Sequence, residues 1–159
     1  MKSNYFIKNH PVSIFIYDFD GVLTDNRVLV SEDGKESVFC NRSDGLAIRK
    51  INDMGIKQLI ISTEKNSIVS VRAEKLGITA IQGINNKKDI LLEYCNKQLI
   101  DINEILYIGN DINDLEVMLI AGFPVCPKDA YSEIRKISRL IIPTCGGHGV
   151  IRSLLYYIK

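Results

Sequence analysis

The 159-residue chain is short of several features that would assign a class at once. It has no excess of charge, since 20 Lys and Arg stand against 19 Asp and Glu, a net +1. That is too little to hold a polyanion through counterion release, so nucleic-acid binding is not expected. It has no long apolar run. Stretches such as Ile14 to Tyr17 and Leu59 to Ile61 fall far below the ~18 residues of a membrane-spanning helix. The opening MKSNYFIKNHPVS carries neither an extended apolar region nor a small-residue cleavage site, so no secretory signal is expected. Cys40, Cys95, Cys126 and Cys145 form no CxxC pair, which fits reduced thiols in a cytoplasmic protein. No repeat, low-complexity tract or Pro/Gly/Ser-rich linker divides the sequence, and its length suits one domain over residues 1–159.

What the chain does contain is a regular alternation of short apolar runs with longer helical patterns. Residues 13–17, 57–62, 78–81, 104–109, 123–126 and 139–142 read as buried strands of a mostly parallel sheet. Helices are expected over 44–54, 66–76, 87–99, 112–121, 130–137 and 148–158. In the second of these Ile68, Val69, Arg72 and Leu76 share a face, with Asn66 as N-cap. Such alternation implies right-handed crossovers and a doubly wound, Rossmann-like α/β fold with helices on both faces. One segment differs. Arg27 to Val30 and Lys35 to Phe39 alternate about Asp33-Gly34, a hairpin turn signal, and predict a β-hairpin flap over about 27–39. It leaves the sheet beside the carboxyl end of the first strand, where open α/β folds bind ligands.

Four polar groups fall at four successive strand ends. The first is Asp18-Phe19-Asp20-Gly21-Val22-Leu23-Thr24-Asp25, which concentrates negative charge where the chain turns out of the sheet. Such charge is costly unless a cation offsets it, and Mg²⁺, a hard ion that keeps oxygen ligands and substrate phosphate in its shell, suits it. Ser62 and Thr63 offer a hydroxyl and backbone N–H groups to a phosphate oxygen. Lys87 offers a cation, and Gly109-Asn110-Asp111-Ile112-Asn113-Asp114 supplies further oxygens. Each has a purely structural reading as well, as a turn, an N-cap or a solvated lysine beside Lys88. Together, at the ends of one parallel sheet, they are better accounted for by a Mg²⁺–phosphate site.

This ordered set resembles the haloacid dehalogenase (HAD) superfamily of phosphatases, over essentially the whole chain from Ile14 onward. The resemblance implies that Asp18 is a nucleophile, Asp20 a general acid/base, and Ser62, Thr63 and Lys87 phosphate binders. It also implies that Asp18, the Asp20 carbonyl and a side chain of the fourth motif hold Mg²⁺. The fourth motif departs from the commonest form, because Asn110 stands where an Asp follows the Gly. Asn110 or the neighbouring Asp111 is then the ligand, with Asn110 favoured by position, and Asp114 orients Lys87 or a water on the metal.

Only the hairpin lies between Asp20 and Ser62, too little for a helical cap domain. The chain is therefore similar to the capless subgroup, which includes phosphatases of eight- and nine-carbon keto sugar acids and the C-terminal domain of some acylneuraminate cytidylyltransferases. The segments NRSDGLAI, ISTEKN, RAEKLGI, QGINNK and GGHGV are similar to this subgroup too. In it a homotetramer closes the site with the hairpin or a neighbouring chain. The eight-carbon enzymes typically carry Arg where Ser43 stands here and Gly-Arg in place of Thr63-Glu64, so the resemblance favours an acylneuraminate 9-phosphate over the eight-carbon 8-phosphate. Ser43, Asp44, Glu64 and, from a neighbouring chain, Arg72 are the candidate substrate contacts. Lys75 and His148 are weaker candidates, and His10 gives no functional signal. Two other functions fit parts of the pattern. A tetramerisation domain tied to a cytidylyltransferase would explain Asn110 but not the retained Asp18, Asp20, Ser62 and Lys87. A phospho-signalling receiver has no use for Asp20 or the hairpin.

Overall fold

The computed structural model describes residues 6–7 and 9–158. A short antiparallel ribbon, β1 (Phe6–Ile7) with β2 (His10–Pro11), precedes the first sheet strand, β3 (Ile14–Tyr17). The hairpin follows as β4 (Thr24–Val30) and β5 (Glu36–Cys40), antiparallel, with a register shift between Thr24 and Val28. Helices and strands then alternate: α1 (Arg42–Asp53), β6 (Lys57–Ile61), α2 (Ile68–Leu76), β7 (Thr79–Ile81), α3 (Lys87–Gln98), β8 (Ile105–Ile108) and α4 (Leu115–Ile120). The chain ends through β9 (Phe123–Pro127), α5 (Ser132–Ile137), β10 (Leu140–Ile142) and α6 (Val150–Leu154). Six strands form one sheet in the order β10-β9-β8-β3-β6-β7, and every pair in it is parallel.

Both faces of this sheet are buried, which is why its strands read as continuous apolar runs. Side chains alternate between two cores. Phe15, Tyr17, Ile60, Leu106 and Ile108 meet Ala47, Ile48 and Ile51 of α1, Val69 and Ala73 of α2 and Val150, Ile151 and Leu154 of α6. On the opposite face Ile14, Ile16, Leu59, Ile61, Ile105 and Tyr107 meet Leu91 of α3, Val117 and Met118 of α4 and Ile134 of α5. The doubly wound α/β fold expected from the sequence is therefore present. All four cysteines are free. Among the described residues no helix is long and apolar enough to cross a membrane.

Several boundaries differ from the sequence reading, each for a local reason. α1 starts two residues earlier than expected because Asn41 caps it, accepting from the Ser43 N–H at 2.8 Å. Asn66 accepts from the Ile68 N–H at 3.1 Å, but Ser67 is the N-cap of α2. The helix expected over 112–121 opens instead as a 3₁₀ turn, Ile112–Asp114, tightened by a capping box between Asp111 and Asp114. The last helix starts only at Val150, after Gly149 at φ +97°, and ends in a 3₁₀ turn, Leu155–Tyr157. The ribbon β1–β2 was not anticipated, and the hairpin's first strand runs back to Thr24.

Asp44 joins the first and last helices. It is buried in the first turn of α1, and its Oδ1 accepts from the Arg152 N–H at 2.9 Å, across 108 residues of sequence. Burial raises its pKa to about 6, opposed by the Arg152 and Ile151 N–H groups and by the charge of Arg72. An unfolded Asp ionises near pH 3.9. The folded chain therefore holds a proton there that the unfolded chain has lost, and stability falls as pH rises from about 4 to about 6, by up to ~3 kcal/mol. Asp44→Asn, which keeps the acceptor and removes the ionisation, should match wild type in urea unfolding at about pH 4 and exceed it above about pH 6. Parallel pH profiles for the two proteins would reject this.

Candidate functional site

The strand order reverses at β3. The chain winds outward through β6 and β7, then returns to the other side of β3 through β8, β9 and β10. In open α/β sheets the crevice at such a reversal, beyond the carboxyl ends of the strands, is where ligands bind. Asp18 leaves β3 there, Ser62 leaves β6, Asn110 lies one residue past Gly109 at the end of β8, and Lys87 opens α3 after β7. All four are buried, as is Asp114. The fold thus brings together residues drawn from nearly a hundred positions of sequence.

Lys87 lies at the centre. Its Nζ sits 2.7 Å from Asp18 Oδ1 and 2.7 Å from Asp114 Oδ1, with all three side chains almost fully withdrawn from solvent. Burial by itself favours the neutral amine, but the two carboxylates outweigh it and hold the Lys87 pKa above its ordinary value. Asp114 also accepts from the Tyr107 hydroxyl at 3.0 Å and from the Asn110 N–H at 2.9 Å. It contacts Lys87 and ties the strand end to the turn. Asp18 Oδ1 accepts from the Phe19 N–H at 2.7 Å. Burial and the neighbouring Asp114 charge push the Asp18 pKa well up, against the pull of Lys87. One ammonium does not balance two buried carboxylates, and a further cation or a proton on Asp18 would relieve the excess negative charge.

The other oxygen of Asp18 faces away from Lys87. One terminal atom of the Asn110 carboxamide lies 3.2 Å from Asp18 Oδ2 and 2.8 Å from the Asp20 carbonyl. With the amide oxygen in that place, three oxygens converge, a donor set that fits a hard cation such as Mg²⁺. Among the described residues no group of three His, Cys, Asp or Glu side chains could hold a metal ion, because two of these three donors are a carbonyl and a carboxamide. Asp111 lines, from its rim, the cavity that these donors share. It is exposed, and its Oδ1 accepts from the Ile112 N–H at 2.7 Å. Gly21 sits against the same amide with φ +79°, and a Cβ there would come within 2.0 Å of Asn110 Nδ2. Glycine is required on both counts.

The Asp20 side chain points elsewhere. It is part-buried and accepts from the Thr24 hydroxyl at 3.0 Å. Its pKa is raised, first by burial, with the charges of Glu64 and Glu36 adding to that and the Thr24 bond opposing it. Asp18, Asp20, Ser62, Thr63, Asn110 and Asp111 line a cavity of about 280 Å³. A second, of about 250 Å³, shares Asp20 and Asn26 with it and adds Glu36, Glu64 and Asn66. A third, of about 400 Å³, shares Glu36, Val38 and Ile68 with the second and adds Arg72 and Lys75. The first lies at the strand ends, and the second and third continue from it between the hairpin and α2. Glu64 and Arg72 therefore lie on this chain's own cavities, whereas the sequence reading drew Arg72 from a neighbour.

Two expected substrate contacts sit elsewhere. Asp44 is the buried link to α6, and the Ser43 hydroxyl donates to Asn41 Oδ1 at 2.7 Å beside the Gly149 turn. Neither lines the three cavities. Sequence reasoning missed Thr24, Asn26 and Gln82. Gln82 donates to the Lys65 and Asn66 carbonyls at 3.2 and 3.0 Å, and the Gly83 N–H donates to the Glu64 carbonyl at 2.9 Å, bracing the loop that carries Thr63 and Glu64. Thr24 and Gln82 were visible inside the quoted motifs, but nothing in their spacing indicates these bonds.

Residues 50–154, which hold Ser62, Lys87 and the turn from Asn110 to Asp114, match the haloacid dehalogenase-like hydrolase family. The chain belongs to that family. Among solved structures, a HAD family hydrolase from Streptomyces avermitilis is 39% identical, with a TM-score of 0.90 over 92% of this chain and 84% of that one. The 3-deoxy-D-manno-octulosonate 8-phosphate phosphatase of Moraxella catarrhalis, solved with a magnesium ion, a phosphate ion and KDO, is 30% identical, with a TM-score of 0.87 over 90% of this chain and 83% of that one. KdsC of Escherichia coli K12, named for the same activity, is 29% identical over 97% of this chain and 82% of its own length. The N-acylneuraminate cytidylyltransferase of Oncorhynchus mykiss is 27% identical over 99% of this chain, which covers 38% of that protein. This HAD hydrolase is an enzyme related to phosphatases, as expected, and its relatives include a KDO 8-phosphate phosphatase and an N-acylneuraminate cytidylyltransferase.

Removing the buried ammonium should be costly. Lys87→Met leaves Asp18 and Asp114 without their shared partner, a loss of about 3–5 kcal/mol in urea unfolding without divalent cations. Lys88→Met removes a partly exposed lysine 3.9 Å from Glu116 and should stay within about 0.5 kcal/mol of wild type. Equal unfolding midpoints for the two variants would contradict the assigned role of Lys87.

Proposed function

We propose that this HAD hydrolase is a Mg²⁺-dependent phosphatase that cleaves the phosphate monoester of a keto sugar acid through an aspartyl-phosphate at Asp18. The observation that carries the reading is the division of labour on one carboxylate, with Asp18 Oδ1 held by Lys87 and Oδ2 facing the Asp20 carbonyl and the Asn110 carboxamide. Attack by Asp18 on phosphorus forms the acyl phosphate as the ester P–O bond breaks, and the leaving alcohol takes the proton of the Asp20 carboxyl. A carboxyl with a raised pKa keeps that proton available. In the second step the Asp20 carboxylate takes a proton from the water that attacks phosphorus, which frees Asp18 and inorganic phosphate. Lys87, Ser62 and Thr63 bind the phosphoryl oxygens throughout. Mg²⁺, bound by Asp18, the Asp20 carbonyl and Asn110, would neutralise phosphoryl charge. The magnesium and phosphate ions named for the Moraxella catarrhalis relative support this assignment.

The cavities beyond the phosphate support a long substrate. Glu64 and Glu36, with Arg27, line the middle one, where acids suit hydroxyl and amide donors, and Arg72 and Lys75 outnumber Glu36 in the far one, where cations suit a carboxylate. This favours a nine-carbon acylneuraminate-type 9-phosphate over the eight-carbon 8-phosphate. The exposed apolar side chains of the hairpin, Val28, Leu29, Val30 and Phe39, support its burial in a homotetramer. Retained Asp18, Asp20 and Lys87 disfavour a purely architectural role beside a cytidylyltransferase.

Asp18→Asn should fold normally and lose nearly all Mg²⁺-dependent phosphate release. Turnover within about tenfold of wild type, equivalent to ~1.4 kcal/mol of barrier, would remove Asp18 as nucleophile. For the substrate, kcat/KM should favour the nine-carbon ester, Glu64→Ala should narrow the ratio, and light scattering should give four chains under assay conditions. A ratio that favours the eight-carbon ester, or a fully selective monomer, would refute this part of the proposal.

A further inference from the structure

Asn110 occupies a position where a carboxylate and a carboxamide behave differently. Its backbone is fixed at both ends, the N–H donating to Asp114 Oδ2 at 2.9 Å and the carbonyl accepting from the Tyr131 N–H at 2.8 Å. The residue is 7% exposed. Rotation of the terminal amide exchanges oxygen and nitrogen between the same two places. One of these places faces only acceptors, Asp18 Oδ2 at 3.2 Å and the Asp20 carbonyl at 2.8 Å. The amide also packs against the bare Cα of Gly21, where any Cβ would clash.

With oxygen at the inner place, three acceptors meet and only a cation can reconcile them. With nitrogen there, the amide donates to both Asp18 and the Asp20 carbonyl, and the cluster is satisfied by protein alone. Building on the metal assignment above, we infer that Asn110 is an affinity-setting switch. Its amide nitrogen closes the ligand cluster when no cation is bound, and its oxygen turns in to ligate Mg²⁺. The metal must therefore displace two hydrogen bonds and gains no charge from this ligand. An Asp at the same place has no donating face. It would repel Asp18 without the metal and attract the metal more strongly.

The experiment uses the full chain, uniformly ¹⁵N-labelled, with Mg²⁺ itself as the probe. The side-chain amide pair of Asn110 is identified in the wild-type chain by its NOE contacts with Gly21, against which the amide packs. Without divalent cations its protons should exchange with solvent at least about tenfold more slowly than those of exposed Asn side chains, and saturating Mg²⁺ should shift the pair and abolish that protection. By calorimetry Mg²⁺ should bind Asn110→Asp about tenfold or more tightly than wild type. In chelator that variant should melt below wild type. An amide unprotected without the metal, or unmoved when Mg²⁺ saturates, overturns the switch while leaving the metal assignment standing. So does an Asn110→Asp protein as stable as wild type in chelator. If calorimetry detects Mg²⁺ binding to neither protein, the metal assignment falls, and the switch with it. The amide signals come from the wild-type chain, so the proposal stays testable if the variant folds poorly.

Discussion

Two buried carboxylates of like charge, Asp18 and Asp114, are held against one ammonium, Lys87, and the rest of the site is arranged around that pair of contacts. The ion cluster works because each partner comes from a different strand end or helix start, so that no local rearrangement can release one without the others. Tyr107 reaches the same Asp114 oxygen from within β8, and the Asn110 N–H reaches the other. The tie between them therefore sets the height of the fourth motif above the sheet and, through it, the place of the Asn110 carboxamide. Two carboxylates and one ammonium leave a residual negative charge in a low-dielectric crevice, an imbalance that an added cation would offset.

The loop that carries Asp20 is held from outside the sheet. Gly146 and Gly147 press the C-terminal turn against it so closely that a Cβ on either would fall 2.1 Å from the Gly21 carbonyl or 2.3 Å from the Asp25 nitrogen. The Gly147 N–H donates to the Val22 carbonyl at 3.0 Å, and the Gly146 N–H to Asp129 at 3.0 Å. A few residues on, Asp44 fixes the start of α6 to α1. The last segment of the chain thus serves as a wall behind the first motif, and the stability of its docking and the geometry of Asp20 are parts of one packing problem. A similar bracing acts on the opposite rim, where Gln82 and Gly83 support the Glu64 loop and Asn66 donates to Glu36 of the hairpin at 3.3 Å. The hairpin and the loop that carries Ser62 to Asn66 therefore meet along the cavities.

How much of this was legible beforehand depended on the range of the forces involved. Six strands and their helices followed from apolar runs and their alternation, because both sheet faces are buried and each strand had to be apolar throughout. Asp18, Asp20, Ser62, Lys87 and Asn110 stood out because each follows a strand, and a parallel sheet gathers such positions at one edge. The sequence by itself determined the parallel sheet, the hairpin after the first strand and the set of polar residues at one rim, since these depend on periodicity and local turn chemistry. Tertiary structure alone decided that Asp111 caps a turn while Asn110 faces Asp18, that Asp44 bonds to α6, and that Arg72 lies on its own chain's cavities. Those outcomes turn on side-chain direction and on contacts between segments up to 108 residues apart. Spacing along a chain carries no information about either until the backbone is closed around the core.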